Sequence, residues 1–222
     1  MPQWDYSSTW EVRGLNLRRG VGTLPSSTQF RVLLFNGTTL TKTMSKAAML
    51  AAELLEQNGY TRQTYNPTTA TYNTTTQRAE LGRVTANFTA SGATLQWDAA
   101  AVWADCSATA SRPITAIDVS TDVLTIANHG LVNGEEVTVA TSGTFPAGLE
   151  GSLIYYAKVL TTSTIELHAD VATTSKVNIT NAGVGSHHIR YAKGEVVFFA
   201  NFSGVQFIAD GVPESLRIDW VS

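Results

Sequence analysis

Four histidines and one cysteine are the side chains of this chain best suited to metal binding or nucleophilic chemistry. His187 and His188 are adjacent, and consecutive residues of a strand project to opposite faces, so the pair makes a poor chelate for one ion. His129, in Asn-His-Gly-Leu, has the setting of a turn histidine bonded to local backbone. Cys106 has no histidine or basic cluster near it in the chain to lower its pKa, so it is expected to be a small buried hydrophobe. Being single, it can form neither an intrachain disulfide nor a zinc knuckle of thiols. Asp118, Asp122 and Glu135-Glu136 lack the alternating spacing of a calcium loop. No carboxylate pair stands out for glycoside cleavage; Asp98 with Asp105, and Glu195 with Asp210, have no supporting pattern. Gly20-Val21-Gly22 and Gly183-Val184-Gly185 do not open a helix after a strand, so neither makes a phosphate cradle. Ser91 lacks the glycine two residues earlier that a nucleophile elbow requires. The expectation is a non-enzymatic chain without metal or cofactor.

Composition narrows the remaining classes. The 222 residues suit one large β domain or two small ones, and 43% hydrophobic content is enough for a packed core. Only 15% are charged, so Thr, Ser, Asn and Gln must supply much of the polar surface unless partners cover it. A net charge of −3 with no basic stripe argues against nucleic acid as a partner. No apolar run approaches the length of a membrane span, and the N-terminal MPQWDYSSTWEV lacks the regions of a signal peptide. Synthesis in a cytoplasm is therefore expected. The N-x-[ST] triplets at Asn36, Asn87 and Asn201 are then chance occurrences in a Thr-rich chain.

The elements expected to position these residues are strands, with one exception. Met44–Gln63 carries Met44, Ala48, Ala51 and Leu55 at helical spacing, widened by Ala47, Leu50 and Leu54. Thr43 or Ser45 can cap its start, and Asn58-Gly59 can supply a left-handed stop. A helix over about 44–58 is predicted, covering a small sheet, with Lys46, Glu53, Glu56 and Gln57 facing solvent. Gln29–Asn36 is a strand apolar on both faces and hence central. Short extended runs follow at Tyr60–Tyr65, Ala70–Thr75, Gln77–Leu81 and Arg83–Thr89, where Val84, Ala86 and Phe88 form one buried face. Ser91-Gly92 then has the form of a hairpin turn, and Ala99–Ala104 is taken as strand.

Texture changes at Arg112-Pro113. Ile114–Val119, Val123–Ala127, Glu136–Ala140, Ile154–Leu160, Thr164–His168 and Val177–Ile179 are short strands at regular spacing, and His187–Arg190 closes the set. That is the pattern of a small antiparallel barrel or sandwich. Glu195–Ala200, Gly204–Ala209 and Leu216–Val221 return to the denser apolar texture of the first half. Ser203–Ser222 is too short to bury its own apolar side chains, which favours an insertion. A parent domain of 1–112 and 191–222, with an N-terminal arm over 1–28, would host a module of 113–190. Trp4, Tyr6 and Trp10 in the arm either tuck onto the parent core or anchor on a neighbouring subunit, as interface hot spots do. Together with the basic pair Arg18 and Arg19 they are the candidate interface residues.

The run LAAELLEQNGYTRQTY, followed by FTASGATLQW, resembles a family of tailed-bacteriophage virion proteins in which a helix ending in GYxRQ precedes an all-β sandwich. The segment STDVLTIANHGLVNGEEVTVATSGTFPAGLEGSLIYYAKVLTTSTIELHAD is similar to a small β module of phage tail and other virion proteins. Its turn residues are His129, Gly130, Gly134, Pro146 and Gly148, followed by Tyr155 and Tyr156, with Phe145 where the module often has Leu. The resemblance covers most of the chain and supplies no catalytic residues. It implies a structural role in the virion, with assembly in the host cytoplasm. The fold expected is mainly β: a jelly-roll-like antiparallel sandwich with one helix and an inserted β module. The function expected is a capsid-decorating (cement) protein binding the major capsid protein or another virion protein, as a homo-oligomer with a trimer favoured. The alternative is a tail fibre or baseplate component contacting host glycan, which an exposed Tyr155 or Tyr156 would favour; alternation turns one of the two inward. A polysaccharide hydrolase, the third reading, would need an acidic pair facing a groove.

Overall fold

The computed structural model describes residues 5–6, 30–65, 71–73 and 78–221. In chain order the strands are β1 (Asp5–Tyr6), β2 (Arg31–Phe35), β3 (Gln63–Thr64), β4 (Thr71–Asn73), β5 (Arg78–Thr89), β6 (Leu95–Ala104), β7 (Ser111–Ile114) and β8 (Ala116–Asp118). They continue with β9 (Val123–Thr125), β10 (Glu135–Thr141), β11 (Tyr155–Thr161), β12 (Thr164–His168), β13 (His187–Tyr191), β14 (Glu195–Ile208) and β15 (Pro213–Val221). One α-helix, α1 (Lys46–Ala52), lies between β2 and β3. The protein is mainly β, and its strand ladders are antiparallel.

The chain divides into two compact units, Met1–Met44 with Ala52–Ala108 and Gly194–Ser222, and Ser45–Ala51 with Thr109–Lys193. The first is a β-sandwich. One sheet has the order β1-β14-β6-β2-β3 and the other β15-β5-β4. Apolar residues on both faces make β2 a central strand: Val32, Leu33, Leu34 and Phe35 have no exposed surface. Beside it, β6 contributes the small residues Ala99, Ala100 and Ala101, likewise fully buried. On β5, Ala86 and Phe88 form the buried face, and the Phe88 ring stacks on Tyr60 at 6.2 Å. The segments on either side of the second unit share these sheets. Strand β14 pairs with β6 from Glu195↔Ala104 to Ile208↔Leu95, and β15 pairs with β5. Asn201 secures the long loop after β2: its side chain accepts from Leu40 N–H at 2.8 Å and donates to Leu40 C=O at 3.0 Å.

Two local expectations are corrected here. Ser91-Gly92 does not close a hairpin, because β5 and β6 belong to different sheets. It carries the chain from one layer of the sandwich to the other, with Gly92 N–H held by Asp210 Oδ1 at 2.8 Å. The helix is seven residues long and stops at Ala52. Beyond that point β2 captures the backbone: Glu53 bridges to Phe35, and Leu54 N–H donates to Leu34 C=O at 3.0 Å. Hydrogen bonds to a fully buried strand replace the next helical turn. The buried positions around it are Ala47, Met49, Leu50 and Glu53, whereas Ala51 of the expected apolar stripe is exposed. Ser45 is the cap, its Oγ accepting from Ala48 N–H at 3.2 Å. Asn58 (φ 54°) and Gly59 (φ 82°) do adopt left-handed backbone, in a turn six residues past the helix end.

The second unit is one seven-stranded sheet of order β7-β13-β10-β11-β12-β9-β8. Its outermost strands, β7 and β8, are separated in sequence by Thr115 alone. The run Ser111–Asp118 therefore pairs at one end with β13 and at the other with β9, and the sheet closes on itself as a barrel. Period-two alternation fills the interior with Val137, Val139, Tyr155, Ala157, Ile165, Leu167, Ile189 and Tyr191, joined by Leu124, Ile126 and Ile179. Val177–Ile179 is not a strand. It packs beside β12 as an irregular segment, with Val177 N–H donating to Leu167 C=O at 2.9 Å.

Candidate functional site

The most concentrated chemistry of the first unit is a buried cluster of four residues. Glu53 is delivered by the bridge to β2, Tyr60 and Arg62 by the segment entering β3, and Cys106 by the chain leaving β6. Arg62 engages Glu53 as a two-pronged fork, Nε to Oε1 at 2.7 Å and Nη2 to Oε2 at 2.6 Å. Both side chains have no exposed surface. Tyr60 Oη donates to the same Oε1 at 3.0 Å and accepts from Leu34 N–H at 3.2 Å. The remaining Arg62 amine, Nη1, donates to Cys106 Sγ at 3.0 Å and to Ser107 C=O at 3.3 Å.

This arrangement settles the charge states of the cluster. Burial opposes the charge on Arg62, but the Glu53 carboxylate outweighs it and holds the guanidinium above its usual pKa. Burial, reinforced by Glu53, raises the Tyr60 phenol well above its ordinary value. Burial also pushes the Cys106 thiol up to about 11, against the downward pull of Arg62. A thiol so placed is protonated at neutral pH and is a weak nucleophile. The cluster is a sealed ion pair with its donors satisfied, suited to holding geometry rather than meeting a substrate.

Glu53, expected to face solvent, is buried because the helix ends before it. Cys106 is buried as expected, yet it does have a basic neighbour in space, contributed from 44 residues away. The signal for Arg62 lay in Tyr60-Thr61-Arg62, where a period of two puts Arg62 on the face of a buried aromatic.

In the barrel, His129 has the role its turn suggested. Its Nδ1 accepts from Leu131 N–H at 3.0 Å, so Nε2 carries the proton and donates to Thr161 C=O at 2.9 Å. The Tyr191 hydroxyl donates to the His129 carbonyl. His187 is buried and His188 half-buried; burial first, then the charges of Arg190 and His187, lowers the pKa of His188. Glu166 gathers Lys176 at 3.0 Å, Lys158 at 3.2 Å and His168 at 3.5 Å. Burial raises its pKa, but these hydrogen bonds prevail and hold it below the usual range.

Four of the carboxylates singled out above, Asp98, Asp118, Asp122 and Glu135, organise backbone. Asp98 accepts from Gly37 N–H at 2.9 Å, and Asp118 accepts from Ser120 N–H at 2.9 Å. Asp122 accepts from Ile179 N–H at 2.7 Å, and Glu135 from Val132 N–H at 3.1 Å. Among the described residues no group of three or more His, Cys, Asp or Glu is placed to hold a metal ion, and no helix is long and apolar enough to cross a membrane. Of the candidate interface residues, Trp4, Trp10, Arg18 and Arg19 lie outside the described residues. Tyr6 is described through its backbone, which pairs with Phe198 in β14. Tyr155 is turned into the barrel core with its hydroxyl accepting from Glu150 N–H at 2.7 Å, while Tyr156 is half-buried. Comparison with protein-family models, with curated proteins and with solved structures finds no match to this chain.

Proposed function

We propose that this chain is a non-enzymatic structural protein of a phage virion, acting as a capsid-decorating protein that binds and stabilises the head exterior. The observation that carries the reading is the use to which its reactive groups are put. Cys106, His129, Glu53 and Arg62 are enclosed and hydrogen-bonded within the fold. Such a chain is built to persist and to present surface. The sequence resemblance supports the same reading. Its turn glycines Gly130, Gly134 and Gly148 stand in left-handed backbone, with φ of 65°, 78° and 100°. On this proposal the protein assembles in a host cytoplasm, oligomerises with itself, and takes the major capsid protein or another virion protein as partner. The tail-associated alternative would rest on Tyr156, which is half-buried, since Tyr155 faces the core and is not available to stack on a sugar.

The test is to locate the protein in purified particles by electron microscopy and to mix purified protein with undecorated shells. Density on the head exterior and saturable binding are expected. A stable monomer with no affinity for shells, or density confined to the tail, would overturn the proposal.

A further inference from the structure

The second unit is not made of one continuous stretch. Ser45–Ala51 belongs to it, although some sixty residues of the first unit separate that segment from Thr109. On its own this segment is a poor helix. At seven residues α1 is well short of the ~12–15 that an isolated helix needs for even marginal stability. Its ends also carry the wrong charges: no acid in the first turn, where Lys46 opposes the positive end of the dipole, and no base in the last.

The barrel supplies both missing groups. Glu136 of β10 forms an ion pair with Lys46 at the start of the helix. Arg190 of β13 donates to the carbonyl of Ala51 in the last turn at 3.3 Å, as a cation at a helix C-terminus should. Both lie on one face of the barrel wall. Arg190 alternates with the core residues Ile189 and Tyr191, and Glu136 with the core residue Val137, so both point outward. The register pairs Arg190 with Thr138, and this outward face is closed to solvent there: Arg190 is 6% exposed and Thr138 not at all.

We infer that the outer face of β10 and β13 is a docking site for a short helix, occupied by Ser45–Ala51 of the same chain, which becomes helical only when seated there. The site reads a helix by its two ends, an acid for a basic first residue and an arginine for the last carbonyls. Ser45–Ala51 is a strap: its folding and its seating are one event, and weakening either end releases the whole.

Amide hydrogen exchange on the full-length protein tests this. With Arg190→Met, the amides of Met49 to Ala52 are expected to exchange at least about tenfold faster, the change that corresponds to losing about 1.4 kcal/mol. The amides of Val32 to Phe35 in β2 serve as the unchanged reference. Glu136→Lys should release the same helical amides, and Lys46→Glu added to Glu136→Lys should restore them. The last pair guards against a folding defect in Arg190→Met, because both positions are partly exposed at the side chain. Unchanged helical protection in Glu136→Lys overturns the inference. So does failure of the charge swap to restore protection while β10 and β13 remain protected.

Discussion

Removing Arg62 alone would leave the Glu53 carboxylate enclosed with no cation, and removing Glu53 would strand the guanidinium. Arg62→Ala or Glu53→Ala is therefore expected to cost about 3–5 kcal/mol, read from urea unfolding midpoints. Replacing both by apolar residues of similar volume, Glu53→Leu with Arg62→Met, should recover most of that loss, because no charge is then left to desolvate. Cys106 gives a second expectation. Its thiol ionises near 9 when unfolded and about 11 when folded, so between those values the unfolded state is the one that releases a proton. Stability is fully present below pH 9 and falls as pH rises toward 11, by on the order of 2 kcal/mol. The raised phenol of Tyr60 adds to the decline at the alkaline end. A Cys106→Ser variant should lose the part of the slope that begins at pH 9, in chemical denaturation repeated across pH. The burial of Cys106 and the turn role of His129 are legible in the sequence, since both follow from local context. The pairing of Glu53 with Arg62 is not, because a contact across nine residues depends on where a helix stops.

That stopping point is decided by competition between elements. Leu54 and Leu55 continue the helical pattern of Met44–Leu50, and propensity alone would extend α1 through them. The chain turns instead because β2, past its short ladder with β3, takes Glu53 and Leu54 as backbone partners. Strands are legible where alternation is strict, as along β10 to β12, because a period of two records burial directly, and Arg31–Phe35 is legible as a short run apolar on both faces. Ser91-Gly92 is ambiguous in sequence, because the same residue types suit a hairpin and a crossing between layers. The left-handed turn at Asn58-Gly59 was legible in kind, and its importance lies in what it approaches. A Cβ on Gly59 would come within 2.3 Å of Thr89 C=O and 2.8 Å of Ser91 N, at a φ of +82°. Gly59→Ala is expected to destabilise the first unit by about 2–4 kcal/mol, combining backbone strain with a clash that rigid backbone cannot relieve, as a lower thermal midpoint would show.

At the scale of the molecule, the ends of the barrel segment leave and rejoin the sandwich at facing positions. Ala104 and Glu195 are paired residues of β6 and β14, so excising Thr109–Lys193, which leaves Cys106 and Ser107 on Arg62, and joining the ends through a short turn makes a hairpin. The shortened protein is expected to fold cooperatively, with the near-ultraviolet signature of its packed aromatics kept. Its helical signal should disappear, since Ser45–Ala51 would have lost the unit it belongs to. A molten or insoluble product would show that the sandwich needs its guest. The compact unit that holds the barrel runs from Thr109 to Lys193, with Ser45–Ala51 added to it. No periodicity could announce that a helix encoded sixty residues earlier joins it.

The closure of the barrel through Thr115 has a consequence for life at high local concentration. A strand lying open at a sheet margin offers unpaired backbone groups that neighbouring molecules can extend, and growth of that kind leads to fibres. The run Ser111–Asp118 divides its pairing, four residues of β7 against β13 and three of β8 against β9, so the edges the barrel leaves open are short. Barrels crowded shoulder to shoulder would present little free ladder for a neighbour to extend, which works against cross-β growth through this unit.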